Sequence, residues 1–341
     1  MTAFSVLDQG PRRAGTGSAE LLQEATRLAV HVEELGFSRY WVAEHHAQAA
    51  VGISAPEIVI AHLAARTTRL RIGAGGMLLP NHSPLHVAEQ FQTLEALHPG
   101  RIDLGIGRST GTEHGPTAAV LQRSSLAPEV FNGQLAQLLA FGGRTPLPEG
   151  HELAGVRAVP RDVPLPQVFL LGGSPASAGT AARLGLGYGY LAAYQNPVNA
   201  FTALRRYREQ FVPAHEGARP WAILALTVVV GRDDRHADEL ATPWRLALAQ
   251  HATGNPSPLL PVDQALAYRP TPAEQVAQRT PPLNDLRSEV VGGPATVAAK
   301  LKAFVAESGA DEVMVVANTY DPQDRRESYS RLAELAGLDR G

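Results

Sequence analysis

The stretch RLRIGAGGMLLPNHSPLHVAEQFQTLEALHPGRIDLGIG, residues 69–107, contains one complete strand–helix–strand unit and decides the fold class. The apolar run at 69–79 predicts one strand, and the run at 101–107 predicts the next. Between them, Ser83-Pro84 begins a helix with proline at its first position, and Pro99-Gly100 ends it. Both strands are apolar throughout, which is typical of parallel strands buried on both faces.

The same alternation continues along the chain and gives eight strand candidates, each followed by helical sequence. Eight such units in this length predict an α/β fold, a (β/α)8 TIM barrel with loop insertions, in a single domain over residues 1–341. An open doubly wound sheet is the alternative. It is less favoured because the first junction, LDQGPRRAG (7–15), lacks the glycine fingerprint of nucleotide-binding sheets. The strand candidates are residues 4–8, 38–44, 69–79, 101–107, 167–172, 187–193, 221–230 and 311–318.

Two stretches interrupt this alternation and are predicted to be insertions. Residues 142–165 are rich in glycine and proline and read as a loop. Residues 253–290 hold seven prolines and show no clear helical or strand period. A long irregular stretch in a compact domain often serves as a lid or a binding loop, so we expect the second insertion to close a site.

The composition argues against several classes of protein. The net charge of −3 gives no reason to expect a nucleic acid or an anionic membrane as a partner. There are no cysteines, so disulfides, thiolate metal ligands and cysteine nucleophiles are excluded. The opening MTAFSVLDQGPRR lacks a signal-peptide pattern, and no apolar run reaches the ~18 residues of a membrane span. We therefore expect a cytoplasmic protein.

Polar side chains follow most of the strand candidates. In a barrel these positions matter, because active sites form at the carboxyl ends of the strands. Loops are polar in any case, so the clustering alone is a weak signal. The residues are Asp8 and Gln9, Glu44, His45 and His46, Asn81 and His82, Arg108 and Ser109, Ser174, Tyr194 and Gln195, and Asn318 and Thr319.

The segment WVAEHH, residues 41–46, could hold metal ligands, acid/base catalysts or one wall of a cofactor pocket. Neighbouring side chains in an extended segment point to opposite faces, so His45 and His46 are poorly placed to bind one ion. No H-x-H or H-E-x-x-H motif occurs in the chain. The sequence therefore predicts no metal site, with His45 facing the barrel mouth and His46 packed structurally beside Glu44.

Two further segments suggest a phosphorylated cofactor. LGIGRS (104–109) places Arg108 after a strand, and arginine offers a bidentate fork to phosphate. LLGGSPAS (170–177) ends a strand in glycines and supplies Ser174 and Ser177 where a helix begins, and helix N-termini bind phosphate through free N–H groups. Arg108 in a surface ion pair, and Ser174 as an ordinary helix cap, are the alternatives.

Glycines are unusual inside the third strand, RIGAGGMLLP (71–80). They weaken a strand, and they often mark a bulge or a close approach of the backbone to a ligand. Gly75 and Gly76 would let a flat ring lie against the main chain. Close packing of strand and helix is an equally good explanation of this stretch alone.

Taken together, these stretches resemble the bacterial luciferase-like flavin monooxygenases, in the single-chain branch of luciferase-like class oxidoreductases. The resemblance is densest over residues 36–110 and rests on SVLDQGP, GFSRYWVAEHH, the segment from SAPEIV to GRIDLGIGR, FLLGGSPASAGTAARLG and VGGPATVAAKLKAFVAESGADEVMV. It implies a (β/α)8 barrel that binds reduced FMN, delivered by a separate flavin reductase, and uses O2. It also implies a homodimer that packs helices of the first half of the barrel.

The resemblance assigns roles to individual residues. The family's active-site histidine maps onto His45, and its non-prolyl cis peptide maps onto Gly75-Gly76. Its phosphate-binding arginine maps onto Arg108, and its phosphate-binding segment onto Gly173, Ser174 and Ser177. Two positions depart from the luciferase catalytic subunits: Gly107 stands where they carry cysteine, and Gly173 where they carry glutamate. Light emission is therefore not implied.

The implied reaction is the oxidation of a small organic substrate by a C4a-peroxyflavin formed from reduced FMN and O2. The protein would bind and orient the reactants and exclude water, with His45 as acid/base or hydrogen-bond donor. Asp8, Asn81 and Tyr194 are expected on the substrate side. Coenzyme F420-dependent hydride transfer on the same barrel is the alternative cofactor chemistry, and a non-catalytic flavin-binding partner subunit is the alternative class.

Overall fold

The computed structural model describes residues 2–109, 115–121, 125–194, 197–279 and 289–339. Its strands are β1 Ala3–Asp8, β2 Arg39–Val42, β3 Arg71–Leu78, β4 Ile102–Gly107, β5 Gln167–Gly172, β6 Gly187–Leu191, β7 Ala222–Val230, β8 Glu289–Gly292 and β9 Glu312–Val316. From β1 to β7 each strand pairs in parallel with the next, and β9 pairs with both β7 and β1. The ring is closed, which confirms the predicted TIM barrel.

Helices surround the barrel and start where the sequence supplies a proline or a capping side chain. Pro84 opens the helix after β3 as predicted. Asp233 and Asp321 cap later helices by accepting backbone N–H groups. No described helix is both long and apolar enough to cross a membrane. The helices are α1 Ser18–Glu34, α2 Pro56–Arg66, α3 Pro84–Leu97, α4 Gly115–Val120, α5 Pro128–Phe141, α6 Pro175–Arg183, α7 Pro197–Glu209, α8 Asp234–Ala252, α9 Val262–Ala267, α10 Pro272–Arg279, α11 Pro294–Ser308 and α12 Pro322–Ala336.

The prediction of an irregular insertion over 253–290 is wrong in part. The segment contains α9 and α10, and β8 begins at its end and pairs with β7 on the outside of the barrel. Thr271 and Glu274 form a capping box at α10, since the Thr271 hydroxyl accepts the N–H of Glu274 and the Glu274 carboxylate accepts the N–H of Thr271. The other insertion, 142–165, contains no helix or strand, as predicted.

Side chains alternate between the barrel interior and the helical layer along each strand. On β1, Leu7 packs in the interior cluster with Trp41 of β2, whereas Val6 packs in the outer cluster with the helices. On β9, Met314 belongs to the interior cluster and Val313 to the outer one. Because the period is two, the face of each residue at a strand end follows from its neighbours.

The interior combines glycines on some strands with large side chains on others. A Cβ on Gly73 would lie 2.8 Å from Trp41 Cδ1, and one on Gly189 would lie 2.7 Å from Leu171 Cδ2. Trp41 and Phe169 pack edge to face with ring centroids 5.0 Å apart. The glycines therefore make room for these side chains, which fill the barrel below the mouth.

A buried ion cluster closes the amino end of the barrel. Arg39 donates to Asp103 at 2.7 Å and to Glu312 at 3.0 Å. The indole N–H groups of Trp41 and Trp221 donate to the same carboxylates at 3.0 and 2.8 Å. We assign this cluster to stability rather than chemistry, because active sites in barrels form at the opposite end.

Candidate active site

The segment after β2 places Glu44 at the centre of a hydrogen-bonded cluster. Its Oε2 accepts the backbone N–H of Leu78 at 2.7 Å, and its Oε1 accepts Nε2–H of His46 at 2.7 Å and of His82 at 2.8 Å. The amide of Asn81 donates to the same oxygen at 3.3 Å. The carboxylate is buried. Glu44 therefore ties the end of β2 to the turn that follows β3.

The protonation of this cluster follows from burial and hydrogen bonding. Burial alone would raise the pKa of Glu44, but the hydrogen bonds from His46 and His82 outweigh it and lower the pKa to about 2. Burial would lower the pKa of His82, but the hydrogen bond to Glu44 and its charge raise it. The carboxylate is therefore charged at neutral pH, and it fixes both imidazoles by accepting from their Nε2 atoms.

His45 lies on the other side of the segment from Glu44. Ala43 packs in the interior cluster, so the alternation directs His45 inward to the barrel mouth. Its backbone N–H donates to the carbonyl of Ile53 at 2.9 Å, which holds the main chain in place. Its Nδ1 is buried and has no hydrogen-bond partner among the described residues. Buried polar atoms are rarely left this way, so this atom is available to a ligand.

Burial also sets the charge of His45. Removal from water lowers its pKa to about 4, against the opposing pull of the Glu44 charge. The imidazole is therefore neutral at pH 7, with one ring nitrogen as donor and the other as acceptor. A neutral imidazole can accept a proton at its unprotonated nitrogen and can donate a hydrogen bond from the other.

The glycines of β3 lie on the strand that pairs with β2, which leads into His45. The peptide bond between Gly75 and Gly76 is cis, as the resemblance implied. The register with β4 shifts at this point, which marks a bulge. A Cβ on Gly75 would lie 2.6 Å from Leu7 Cδ1, and one on Gly76 would lie 2.7 Å from the carbonyl oxygen of Gly105. Close packing between strands thus requires both glycines. The packing of strand against helix, considered above, is not the reason for them.

The turn from β5 into α6 is tightly built. Ser174 caps α6 by accepting the N–H of Ser177 at 3.3 Å, and the Ser177 hydroxyl donates to the Ser174 carbonyl at 2.8 Å. A Cβ on Gly172 would overlap the Ser177 side chain, so the strand can approach the helix only with glycine there. Gly173 is half-buried between them. Sequence reasoning missed Tyr188 of β6, whose hydroxyl bonds to the Ser177 hydroxyl and donates to the Ser174 carbonyl. The position of Tyr188 on the outward face of β6 could have indicated this contact.

Arg108 stands beside this turn at the tip of β4. The pairing of Ile106 with Leu170 places Arg108 level with Gly172 on the adjacent strand, and adjacent strands lie about 4.8 Å apart. The Arg108 side chain is exposed, and it forms no ion pair with any described residue. No described residue thus occupies the guanidinium, and an anion at the N-terminus of α6 is a suitable partner for it.

Asp8 faces the helical layer, not the mouth. It follows the interior residue Leu7 and so points outward. Its carboxylate accepts from Arg325 at 2.8 Å and from the Tyr40 hydroxyl. Burial would raise its pKa, but Arg325 lowers it below the usual range. This geometry gives Asp8 a structural role in place of the substrate contact expected from its position in sequence.

The two other residues expected on the substrate side differ in what can be said of them. Asn81 lies in the single turn Leu79–Asn81 and contributes to the Glu44 cluster. Tyr194 ends the turn Ala192–Tyr194, but its side chain lies outside the described residues. Within the described ranges no group of three His, Asp or Glu side chains is placed to hold a metal ion.

The fold and the site together define a TIM-barrel protein whose polar groups converge at the carboxyl ends of β2, β3, β4 and β5. A family model described as luciferase-like monooxygenase matches residues 2–312. The chain belongs to the luciferase-like monooxygenase family. An Escherichia coli K12 protein named luciferase-like monooxygenase is 36% identical over 328 residues, which cover 96% of this chain and 95% of that protein.

Two further similarities concern a solved structure and a named activity. The crystal structure of apo-MsnO8 matches with a TM-score of 0.88 and 35% identity and covers 100% of both chains. The Bacillus subtilis N-acetyl-S-alkylcysteine monooxygenase is 40% identical over 188 residues, which are 55% of this chain and 56% of that protein.

More distant structures share the fold with two kinds of cofactor. One is the oxygenating constituent of 3,6-diketocamphane monooxygenase from Pseudomonas putida in complex with FMN, with a TM-score of 0.72, 18% identity and coverage of 98% and 97%. Another is an F420-dependent secondary alcohol dehydrogenase, with a TM-score of 0.70, 14% identity and coverage of 98% of each chain. Flavins and deazaflavins are therefore both bound by proteins of this fold.

Proposed function

We propose that this protein is a flavin-dependent monooxygenase that uses reduced FMN and O2 to oxidise a small organic substrate. The observation that carries the proposal is the unpartnered, buried Nδ1 of His45 at the barrel mouth. A structural histidine at this depth would have its ring nitrogens satisfied by the protein. Retention of this group also argues against a non-catalytic partner subunit.

The residues present fit a flavin mononucleotide. Arg108, Ser174 and Ser177 would hold the phosphate, through a guanidinium, hydroxyls and the N–H of Ala176 in the first turn of α6, where Pro175 has no N–H and the N–H of Ser177 is capped by Ser174. Gly173 keeps the approach to these groups open, and Gly75 and Gly76 present bare main chain to the flavin ring. When bound, reduced FMN supplies the electrons and the site at which O2 is activated.

His45 would handle the proton of the reaction. Because its imidazole is neutral at pH 7, it can accept a proton at the free ring nitrogen or donate a hydrogen bond from the other. The Glu44 cluster would position it, since Glu44 precedes it and is held by donors from the β3 turn. The role of the protein is then to bind, orient and exclude water around the reacting groups.

FMN is favoured over F420 as the cofactor. The relatives that cover nearly the whole chain include one named as a monooxygenase, and the Bacillus relative with the named activity is also a monooxygenase. The F420-dependent structure supports deazaflavin hydride transfer as the second candidate, on the same fold. A small organic substrate and a separate flavin reductase as partner follow from the FMN proposal.

The experiment pairs cofactor binding with turnover. Purified protein is titrated with FMN and with F420, and O2 consumption is then followed with reduced FMN supplied by a flavin reductase. We expect His45→Ala to leave the Kd for FMN unchanged and to lower turnover by about 100-fold or more. His62→Ala, on the exposed face of α2, is the matched control and should change neither. Unchanged turnover in His45→Ala would refute the assigned role.

We also propose a homodimer through α2 and α3. Ile58 on α2 is 67% exposed and Leu97 on α3 is 64% exposed, which makes them two of the most exposed large apolar side chains of the described chain. Exposed apolar side chains that lie on neighbouring helices are typical of association surfaces. Light scattering of the purified protein in solution gives the oligomeric state.

A further inference from the structure

A second unpartnered polar group lies at the barrel mouth, across β1 from His45. The side-chain amide of Asn318, just after β9, donates to Gln9 Oε1 at 2.7 Å. Both residues are buried, with Asn318 only 2% exposed. The carbonyl oxygen Oδ1 of Asn318 has no hydrogen-bond partner among the described residues.

The alternation of the strands directs this oxygen toward the mouth. On β9, Met314 and Val316 pack in the interior cluster, and Ala317 packs in the outer one. Asn318 is therefore inward-facing, as is Gln9, which is two residues beyond the interior Leu7. The hydrogen bond between the two amides also fixes the orientation of Asn318, because its NH2 group is used and its oxygen faces away from Gln9.

A buried carbonyl oxygen without a donor is unfavourable, so such atoms usually meet a ligand or a partner. We propose that Asn318 Oδ1 accepts a hydrogen bond from the organic substrate and selects substrates that carry a neutral N–H or O–H donor. This inference rests on the proposed function and adds the chemical class of the substrate. Asn318 is a specificity-determining residue in this account, and His45 remains the residue beside the reacting atoms.

The substrate, rather than the flavin, is the donor that the topology favours. The proposed phosphate groups lie at the ends of β4 and β5, and β9 is four strands from β4 in both directions around the eight-stranded ring. Asn318 is thus on the wall opposite the phosphate. It is also two strands from His45, roughly 10 Å at the usual spacing, which a small molecule spans.

The test measures binding of matched probes to the full chain loaded with oxidised FMN. The probes are N-benzylacetamide and N-benzyl-N-methylacetamide, with benzyl alcohol and benzyl methyl ether as a second pair. Each methylated probe lacks the donor hydrogen. Ligand-detected NMR titration should give a Kd about tenfold lower for the donor probe of each pair. In Asn318→Leu this ratio should fall to about one, and Asn318→Ala is the second variant if the first does not fold.

Thr227→Val is the matched control, because Thr227 is a buried inward-facing polar residue on the neighbouring strand β7. It should keep the tenfold preference. Equal binding of both members of each pair to the wild type, or binding of neither, overturns the proposal. A tenfold loss of FMN affinity in Asn318→Leu would show that the flavin is the donor and would also overturn it. If the wild type fails to bind FMN, the proposed function fails, and the same titrations on the flavin-free protein still decide the role of Asn318.

Discussion

Replacing Glu44 with glutamine removes the charge on which the rim of the barrel mouth depends. Glutamine has the same shape, but one carboxylate oxygen becomes an NH2 group. That group would face either the backbone N–H of Leu78, now 2.7 Å from Oε2, or the imidazoles of His46 and His82, at 2.7 and 2.8 Å from Oε1. In each case a donor meets a donor, and a buried N–H group loses its acceptor.

The magnitude follows from these contacts. When the NH2 group faces Leu78, one buried N–H group left without an acceptor costs about 1–3 kcal/mol, and the two surviving hydrogen bonds from His46 and His82 lose their ionic contribution of about 1 kcal/mol each. The opposite orientation leaves both imidazoles without an acceptor and is the costlier one. We expect Glu44→Gln to lower the free energy of unfolding by about 3–5 kcal/mol at pH 7, in line with other broken buried ion pairs. The loss is a large part of the ~5–15 kcal/mol that stabilises a domain.

Urea denaturation at pH 7 measures this difference as a change in midpoint at constant slope. The matched control is Glu239→Gln, which alters an exposed pair with Arg235 and should change stability by under about 0.5 kcal/mol. Because the folded-state pKa of Glu44 is lowered to about 2, its contribution is complete above its ordinary pKa and is lost as the pH falls toward 2. A change below about 1 kcal/mol at pH 7, or one that does not shrink at low pH, would refute the reasoning.

Three further outcomes are expected. Gly172→Ala should destabilise the protein and weaken FMN binding, because the added Cβ overlaps Ser177. The control Gly133→Ala changes an exposed helical position with open space and should be neutral or stabilising by up to about 1 kcal/mol. Equal effects of the two substitutions would contradict the expected clash. The folded-state pKa of His45 is lowered to about 4, so between its ordinary pKa and pH 4 the unfolded chain binds a proton that the folded chain does not. Wild type should therefore lose about 3 kcal/mol of stability relative to His45→Gln between pH 7 and pH 4 in urea denaturation. Ile58→Lys should convert a dimer to a monomer in light scattering without lowering thermal stability; a wild-type monomer would exclude the proposed interface.

The sequence predicted the barrel because each strand and helix is signalled locally. Short apolar runs alternate with helical periods, and Pro84 and Pro99-Gly100 mark one helix on both sides. β8 was missed because it is four residues long and lies outside the ring, where no βα alternation announces it. The capping box of Thr271 and Glu274 could have revealed α10.

The candidate site was predicted less completely, since position after a strand does not say which way a side chain points. The alternation separates His45 from Glu44, and the same rule applied to β1 places Asp8 outward and Gln9 inward. Contacts between distant parts of the chain have no local signal. Arg325 binds Asp8 across 317 residues of sequence, and that pairing depends on closure of the barrel.

In the proposed function, the ends of β4 and β5 bind the phosphate of FMN at the mouth of the barrel. The most direct test of this binding is calorimetric titration of wild type and Arg108→Ala with FMN and with riboflavin, which lacks the phosphate. Charge-assisted hydrogen bonds to phosphate contribute about 1.5–3 kcal/mol each, so FMN should bind wild type at least about 10-fold more tightly than riboflavin. Arg108→Ala should lose most of that preference and leave riboflavin binding unchanged. Equal affinity of wild type for FMN and riboflavin, or an equal loss of both in Arg108→Ala, would contradict the account.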